Sequence, residues 1–500
     1  MTAVRSVRLL ALAAPLAAAV LTGSALAYVC HPAAPGTRTL SLAGTVRAAS
    51  LLGGRAELVV AARGGCRRVS WSTATGAVRT RASSCAVRTP AAQSAGVAAL
   101  GVDTRGRPVL RLAGRTLPLP ADAKAVTVDH GLALVQTTRP DRGVFAVRLR
   151  DGAFTMLGPD GGGFAARLDT RGALYHDGES KRALRDRTTV VRFVPRQAIL
   201  AGLARTTTPL TTGGAINAIS MDGLRVALAV RDRTGVCDRV LYWNVAWPPV
   251  QRISAPAGPT CDAGARGTRI DALAIGGFRT EWVAAQGGAV RLIAGSPKCQ
   301  EWVVLRLGRG GLRALAADGS TVAYATRAGV GVVTGSWRPR PIATGSGAPR
   351  AVTVDGSRVA ILGSDGNVEI RTTGGALVAR PHVGAAHAIA LEAMRLVALR
   401  PGRLDVFDTR SGARIRSIVV AAGAHGLDVQ DGVAALARGR YAVVVDLRSG
   451  RTAVVGAGPR PLVGVQIERP GLAYAWSTGR SGVARFVPAG RIDAALGLAP

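Results

Sequence analysis

Along most of the chain, apolar and polar residues alternate over four to eight positions and then halt at Gly, Asp, Ser or Pro, the period of half-buried strands joined by tight turns. The stretch Arg350-Ala351-Val352-Thr353-Val354-Asp355-Gly356-Ser357-Arg358-Val359-Ala360 reads as strand, Asp-Gly turn, strand, and Arg313 to Ala323 and Asn217 to Ala227 repeat it. Weaker copies begin at Asp271, His387, His425 and Val463, at a spacing of roughly 40 residues, which is room for four strands. The second half of a unit has its own mark in Phe407-Asp408-Thr409-Arg410-Ser411-Gly412 and Val445-Asp446-Leu447-Arg448-Ser449-Gly450, each a hairpin closed by Ser-Gly. A four-stranded sheet buries neither face alone, so such units must stack on one another.

These repeats resemble the β-propeller superfamily, in particular WD-repeat-like and TolB-like secreted propellers, with the subfamily left open. The resemblance implies an architecture and no particular activity. A front region carries less regular units beginning near Val46, Val97, Lys124 and Phe164 and ends in Val191-Arg192-Phe193-Val194-Pro195; the chain as a whole ends in Ala484-Arg485-Phe486-Val487-Pro488, each followed by a short helical pattern. That echo reads as an unequal duplication. The expected fold is all-β: two tandem β-propeller lobes of four-stranded antiparallel blades, with a signal peptide at 1–27, an N-terminal lobe of four or five blades at 28–212, and a seven-bladed C-terminal lobe at 213–500.

Composition adds a location. Arg5 and Arg8, an apolar run from Leu9 to Leu21, and Ala25-Leu26-Ala27 follow the three-part order of a Sec-type secretory leader, which sends the chain to the cell envelope or beyond; an uncleaved leader is the sole membrane contact expected. Six cysteines then belong to an oxidising compartment. Folding Cys66 to Cys85 as a hairpin with a two-residue turn at Thr75-Gly76 sets the two cysteines directly opposite each other, and Cys237 faces Cys261 across Pro248-Pro249 in the same way. Cys30 and Cys299 pair by elimination. Trp71, Trp243, Trp282, Trp302, Trp337 and Trp476 recur at strand positions and are expected to pack between blades.

Of 64 basic residues, all but Lys124, Lys181 and Lys298 are arginine, and the formal charge is +34. Such a charge attracts polyanions. Few aromatics and the lack of a basic run argue against dedicated nucleic-acid binding, so an anionic envelope polymer or a protein is the expected partner. The sequence has no phosphate loop, Gly-x-Ser-x-Gly elbow, His-Glu-x-x-His or Cys-x-x-Cys, and no cofactor is expected. His382 and His387 have neither helical nor strand spacing and no carboxylate cluster beside them, so no metal site is expected.

One constellation stands out. Aligning the repeats puts Asn217, Asp271, Arg313, Arg350, His387, His425 and Val463 at one position, just before the innermost strand, where a closed propeller gathers them around a channel mouth; Lys124 is the front-lobe counterpart. Six of these seven are polar between apolar columns, and the mouth is cationic apart from Asp271. The expected role is therefore non-catalytic binding or scaffolding of an acidic ligand or a protein, with two other readings open. One is a glycan-active hydrolase or lyase drawing acids from Asp222, Asp271, Asp318 and Asp355; the other is a structural subunit of an envelope complex.

Overall fold

The computed structural model describes residues 36–498 except 86–97, 105, 139–142, 163, 179–187, 232–237, 254–268, 277–278, 287–288, 296–301, 310 and 335–337. For 247–253, 269, 271 and 279–309 it describes the backbone alone. The leader and the Cys237–Cys261 and Cys30–Cys299 pairs lie outside the described residues, as does Trp337.

Among the described residues the alternating pattern folds into ten four-stranded sheets and one three-stranded sheet, all antiparallel. Four of them form the front lobe. Their innermost segments are Thr45–Leu52, Ala98–Val102, Ala123–Asp129 and Arg167–Leu168. The fourth sheet takes its outer strand, Arg38–Ala43, from before the first blade, pairing it with Thr188–Pro195. Seven sheets form the back lobe, with innermost strands Ile216–Asp222, Arg269–Gly276, Leu312–Asp318, Pro349–Asp355, Ala388–Glu392, Ala424–Gln430 and Leu462–Glu468. Each packs on the next, and the seventh packs on the first, so the ring closes. Here too the outer strand of the last sheet comes from ahead of the ring: Leu210–Thr212 pairs with Gly482–Pro488. The duplicated Arg-Phe-Val-Pro ending is thus the strand onto which each lobe clips its own beginning.

Burial follows the repeat. Central strands such as Leu132–Thr137, Thr321–Thr326 and Val433–Arg438 are buried almost throughout, because both faces lie against neighbouring blades. Trp71, Trp243 and Trp476 are buried between sheets. The Cys66–Cys85 disulfide forms, with Cα atoms 5.1 Å apart. Its hairpin register differs from the expectation: Cys66 pairs with Ser83, not Cys85. The reason is a four-residue turn, Thr73 to Gly76, where Gly76 takes the left-handed conformation (φ 82°) and its amide bonds Ser72 O.

Both lobes end in a helix seated on a proline with φ −60°, α1 at Arg196–Arg205 and α2 at Ala489–Leu496. The helix α1 buries Ile199 and Leu203 against the front lobe. One apolar cluster runs without a break from Leu110, Phe145 and Phe154 of the front lobe to Ile216, Trp243 and Phe486 of the back lobe, with Phe154 and Phe486 edge to face at 6.0 Å. The Arg107 guanidinium reaches across to both oxygens of Asp493 on α2, at 3.2 and 2.9 Å. The two lobes therefore share a core.

Candidate functional site

The later halves of the seven innermost strands line a cavity of about 240 Å³ whose open wall is mostly polar and which reaches Asp318, Asp355 and Glu468. All seven strands run the same way, so their starts ring one mouth and their ends the other.

At the start mouth the backbone does something the sequence reading did not anticipate. The ladder skips one residue of the innermost strand, a β-bulge, at Asn217, Asp271, Arg313, Arg350 and Val463. In the front lobe the bulged residues are Arg47 and Lys124. In the sixth back blade the bulge falls on Gly426, next to His425, and in the fifth His387 directly precedes the strand. An extra residue breaks the two-residue alternation and re-aims a side chain that would otherwise face a neighbouring sheet. Asn217, Arg313, Arg350, His387 and His425 are accordingly exposed, while Ile216, Pro349, Ala424 and Leu462 beside them are buried. The side chain of Asp271 lies outside the described residues.

Three of these side chains also reach the neighbouring blade. Arg313 Nη1 donates to Pro349 O at 3.1 Å, His387 Nε2 to Ala424 O at 3.1 Å, and His425 Nε2 to Leu462 O at 3.2 Å. A carbonyl only accepts, so both imidazoles carry hydrogen on Nε2 whether or not they are charged. Asn217 donates to Asp238 within its own blade at 3.2 Å. Lys124 pairs with the buried Asp160. Arg350 makes no ion pair among the described residues. His382 bonds Asn367 at 2.8 Å, away from His387.

The opposite mouth is ringed by acids. Asp222, Asp318, Asp355, Glu392 and Glu468 end five of the seven innermost strands, and Asp428 stands two residues before the end of a sixth. Each carboxylate after Asp222 accepts a backbone N–H from the following blade. Asp318 takes Gly356 and Asp355 takes Ala393; Glu392 takes Gly432 through both oxygens at 3.1 Å; Asp428 takes Ile467 at 2.8 Å. Glu468 closes the circle by accepting from Gly223 of the first blade. Asp222 is held by Arg225 at 2.6 Å. Gly223, Gly356, Ala393 and Gly432 lie in turns of positive φ, Ala393 at 45°, which presents their amides to the neighbour, whereas Ile467 donates from within a strand.

Packing acids around a narrow channel shifts their protonation. Burial pushes Asp428 up to about 6 against the pull of the Ile467 and Val429 amides. Burial also raises Glu468 well above the usual carboxylate range, with repulsion from Asp222, Asp428 and Asp318 adding to it. Asp355 and Glu392 move up for the same first reason, burial. Among the described residues no group of three or more His, Cys, Asp and Glu is arranged to hold a metal ion, and no helix is long and apolar enough to cross a membrane.

Sequence reasoning named Asp222, Asp318 and Asp355, each in an Asp-Gly turn, as acids of the hydrolase or lyase reading, and missed Glu392, Asp428 and Glu468, which complete the ring. The signal was present in Glu392-Ala393 and Glu468-Arg469, where an acid holds the same column without any Asp-Gly turn.

No protein-family profile matches this sequence, and no curated protein matches it. Among solved structures it is similar to a chain of a mitotic checkpoint complex (13% identity, TM-score 0.45, covering 56% of this chain and 91% of that one). It is also similar to the WD40 β-propeller domain of Doa1, at 10% identity and TM-score 0.43, covering 57% of this chain and 97% of that one. A computationally designed protein, Ika8, aligns over 89% of this chain and 98% of its own at 12% identity and TM-score 0.32.

Proposed function

We propose that this protein is an exported, non-catalytic binding or scaffold module of the cell envelope that receives an acidic ligand, or an acidic protein surface, on the start mouth of the back ring. The observation that carries this reading is the polarity of the channel. Exposed Arg313, Arg350, His387 and His425 sit at one mouth, and the carboxylates of the same strands sit at the other. An anion approaching the start mouth meets exposed donors, Arg313 and Arg350 turned outward by bulges, with the opposing acids a full strand length away.

A hydrolase or lyase needs a carboxylate free to exchange a proton with substrate. Asp318 and Asp355 are instead bonded to the next blade and Asp222 to Arg225, which favours binding over catalysis. Export rests on the leader sequence, and the Cys66–Cys85 bridge agrees with an oxidising compartment.

Binding of the mature chain to phosphate-, sulfate- and carboxylate-bearing polymers over a salt series tests the reading, with Arg350→Ala as the probe because Arg350 has no ion-pair partner to lose. Salt-sensitive binding that weakens severalfold in the variant supports the mouth. Equal binding by both proteins assigns the attraction to diffuse surface charge and removes the mouth as a site.

A further inference from the structure

A second cationic surface lies where the two lobes meet. A cleft of about 1130 Å³ opens between the Ala98–Pro118 sheet of the front lobe and the back lobe's α2 and Asp446–Ser449 turn. Arg107, Arg111, Arg115 and Arg150 line it from the front lobe, Arg448 and Arg491 from the back.

The acids of this cleft are already engaged. Asp103 and Asp493 both hold Arg107. Asp151 holds Arg148 at 2.6 Å, and Asp446, almost fully buried, accepts from the amide and hydroxyl of Ser449. Apart from Arg107 and the loosely paired Arg150, the guanidiniums are not. Among the described residues no carboxylate lies within ion-pair distance of Arg111, Arg115, Arg448 or Arg491, and Arg150 is 77% exposed with Asp151 no nearer than 3.9 Å. Arg111 and Arg115 each spend one N–H on a backbone carbonyl, of Val102 and Arg150, which orients them without neutralising them. A concave space walled by uncompensated guanidiniums from two lobes, Arg111 and Arg115 oriented by backbone carbonyls, fits a ligand with several anionic groups, since each guanidinium can fork onto two oxygens of one phosphoryl group.

We infer that this interlobe cleft is an anion site for a ligand carrying two or more phosphoryl groups, bridged by Arg111 and Arg115 on one side and Arg448 and Arg491 on the other. It extends the acidic-ligand reading to a different surface, so the two succeed or fail separately. A bridging ligand is held by both lobes at once, and loss of either side's arginines removes most of the affinity.

The test is titration calorimetry of tripolyphosphate, with sulfate and long-chain polyphosphate as comparison arms. The proteins are the wild type, Arg111→Gln, Arg491→Gln, their double variant and Arg350→Ala. The inference predicts saturable binding of tripolyphosphate at one site per chain, weakened about tenfold or more by either glutamine substitution, little further by the double, and unchanged by Arg350→Ala. Long-chain polyphosphate, which can reach the channel mouth as well, should lose affinity in the glutamine variants too, and sulfate should bind far more weakly. Thermal melts of each variant confirm that the fold is kept, and Arg491→Lys, which keeps the charge but not the fork, should recover only part of the affinity. Binding that ignores both glutamine substitutions overturns the cleft, and so does binding lost only in Arg350→Ala; the latter would leave the channel mouth standing alone.

Discussion

The two ends of the back-ring channel solve one problem with opposite charge. At the start mouth a neighbouring blade offers the carbonyl of its first strand residue, and the side chains that reach it are donors: Arg313, His387 and His425. At the end mouth the neighbour offers turn amides, or for Asp428 the strand amide of Ile467, and the side chains that reach them are acceptors: Asp318, Asp355, Glu392, Asp428 and Glu468. Which backbone group the next blade exposes therefore sets the sign of each mouth. The lesson is that a ring of like charge in a propeller is first a set of latches between blades, and becomes available to a ligand where a side chain is left over, as Arg350 is.

The comparison breaks most visibly if the end-mouth latches are removed together. Asp318→Ala, Asp355→Ala and Glu392→Ala combined should lower the unfolding free energy of the back lobe by about 1 kcal/mol per residue, because each removes a half-buried charged acceptor that ties one blade to the next. Urea titration checks this.

Next in size is a pH effect confined to the acidic mouth. Asp428 has a folded pKa of about 6, above its unfolded value, so the native state keeps the proton longer than the unfolded chain does. Its contribution is intact below about pH 4 and is lost as pH rises through 6. Asp428→Asn keeps an acceptor for Ile467 and removes the ionisation. It should be the more stable protein at pH 8, by about 2 kcal/mol, with the gap closing by pH 4; melting curves across that range report the outcome.

At the start mouth, Arg313→Ala, His387→Ala and His425→Ala combined should cost less than the end-mouth set, about 1–2 kcal/mol in all, since these side chains are exposed and water replaces them. A cost equal to that of the acids would erase the asymmetry. Smallest is Ala393→Gly. The left-handed turn that offers its amide to Asp355 is strained for alanine (φ 45°), and glycine there should add about 0.5–1 kcal/mol, read in the same titrations.

Much of this fold was legible in the sequence. The period of two marked the strands, the roughly 40-residue repeat marked the blades, and the twin Arg-Phe-Val-Pro endings marked the strands that close each lobe. The start-mouth column was legible because a polar residue falls out of phase with the apolar positions of its strand, and at Asn217, Asp271, Arg313 and Arg350 that break is the bulge itself. The ring of acids was hidden by a sufficient local explanation: an Asp-Gly turn accounts for aspartate without any neighbour. The interlobe cleft had no sequence signal, since Arg111 and Arg491 come together only through the shared core around Phe154 and Phe486. The hairpin at Cys66 was misjudged by two residues because turn length is set by the backbone of Thr73 to Gly76 and not by symmetry about the cysteines.

Amide hydrogen exchange on Asp355→Ala tests the latch account most directly. If Asp355 holds the next blade, exchange should quicken at Ala393, in the turn after Ala388–Glu392, while the strand Arg358–Gly363 of its own blade keeps its wild-type protection. Faster exchange in its own hairpin, with Ala393 unaffected, would mean that the aspartate serves only its own turn and that the ring of acids is not a set of latches.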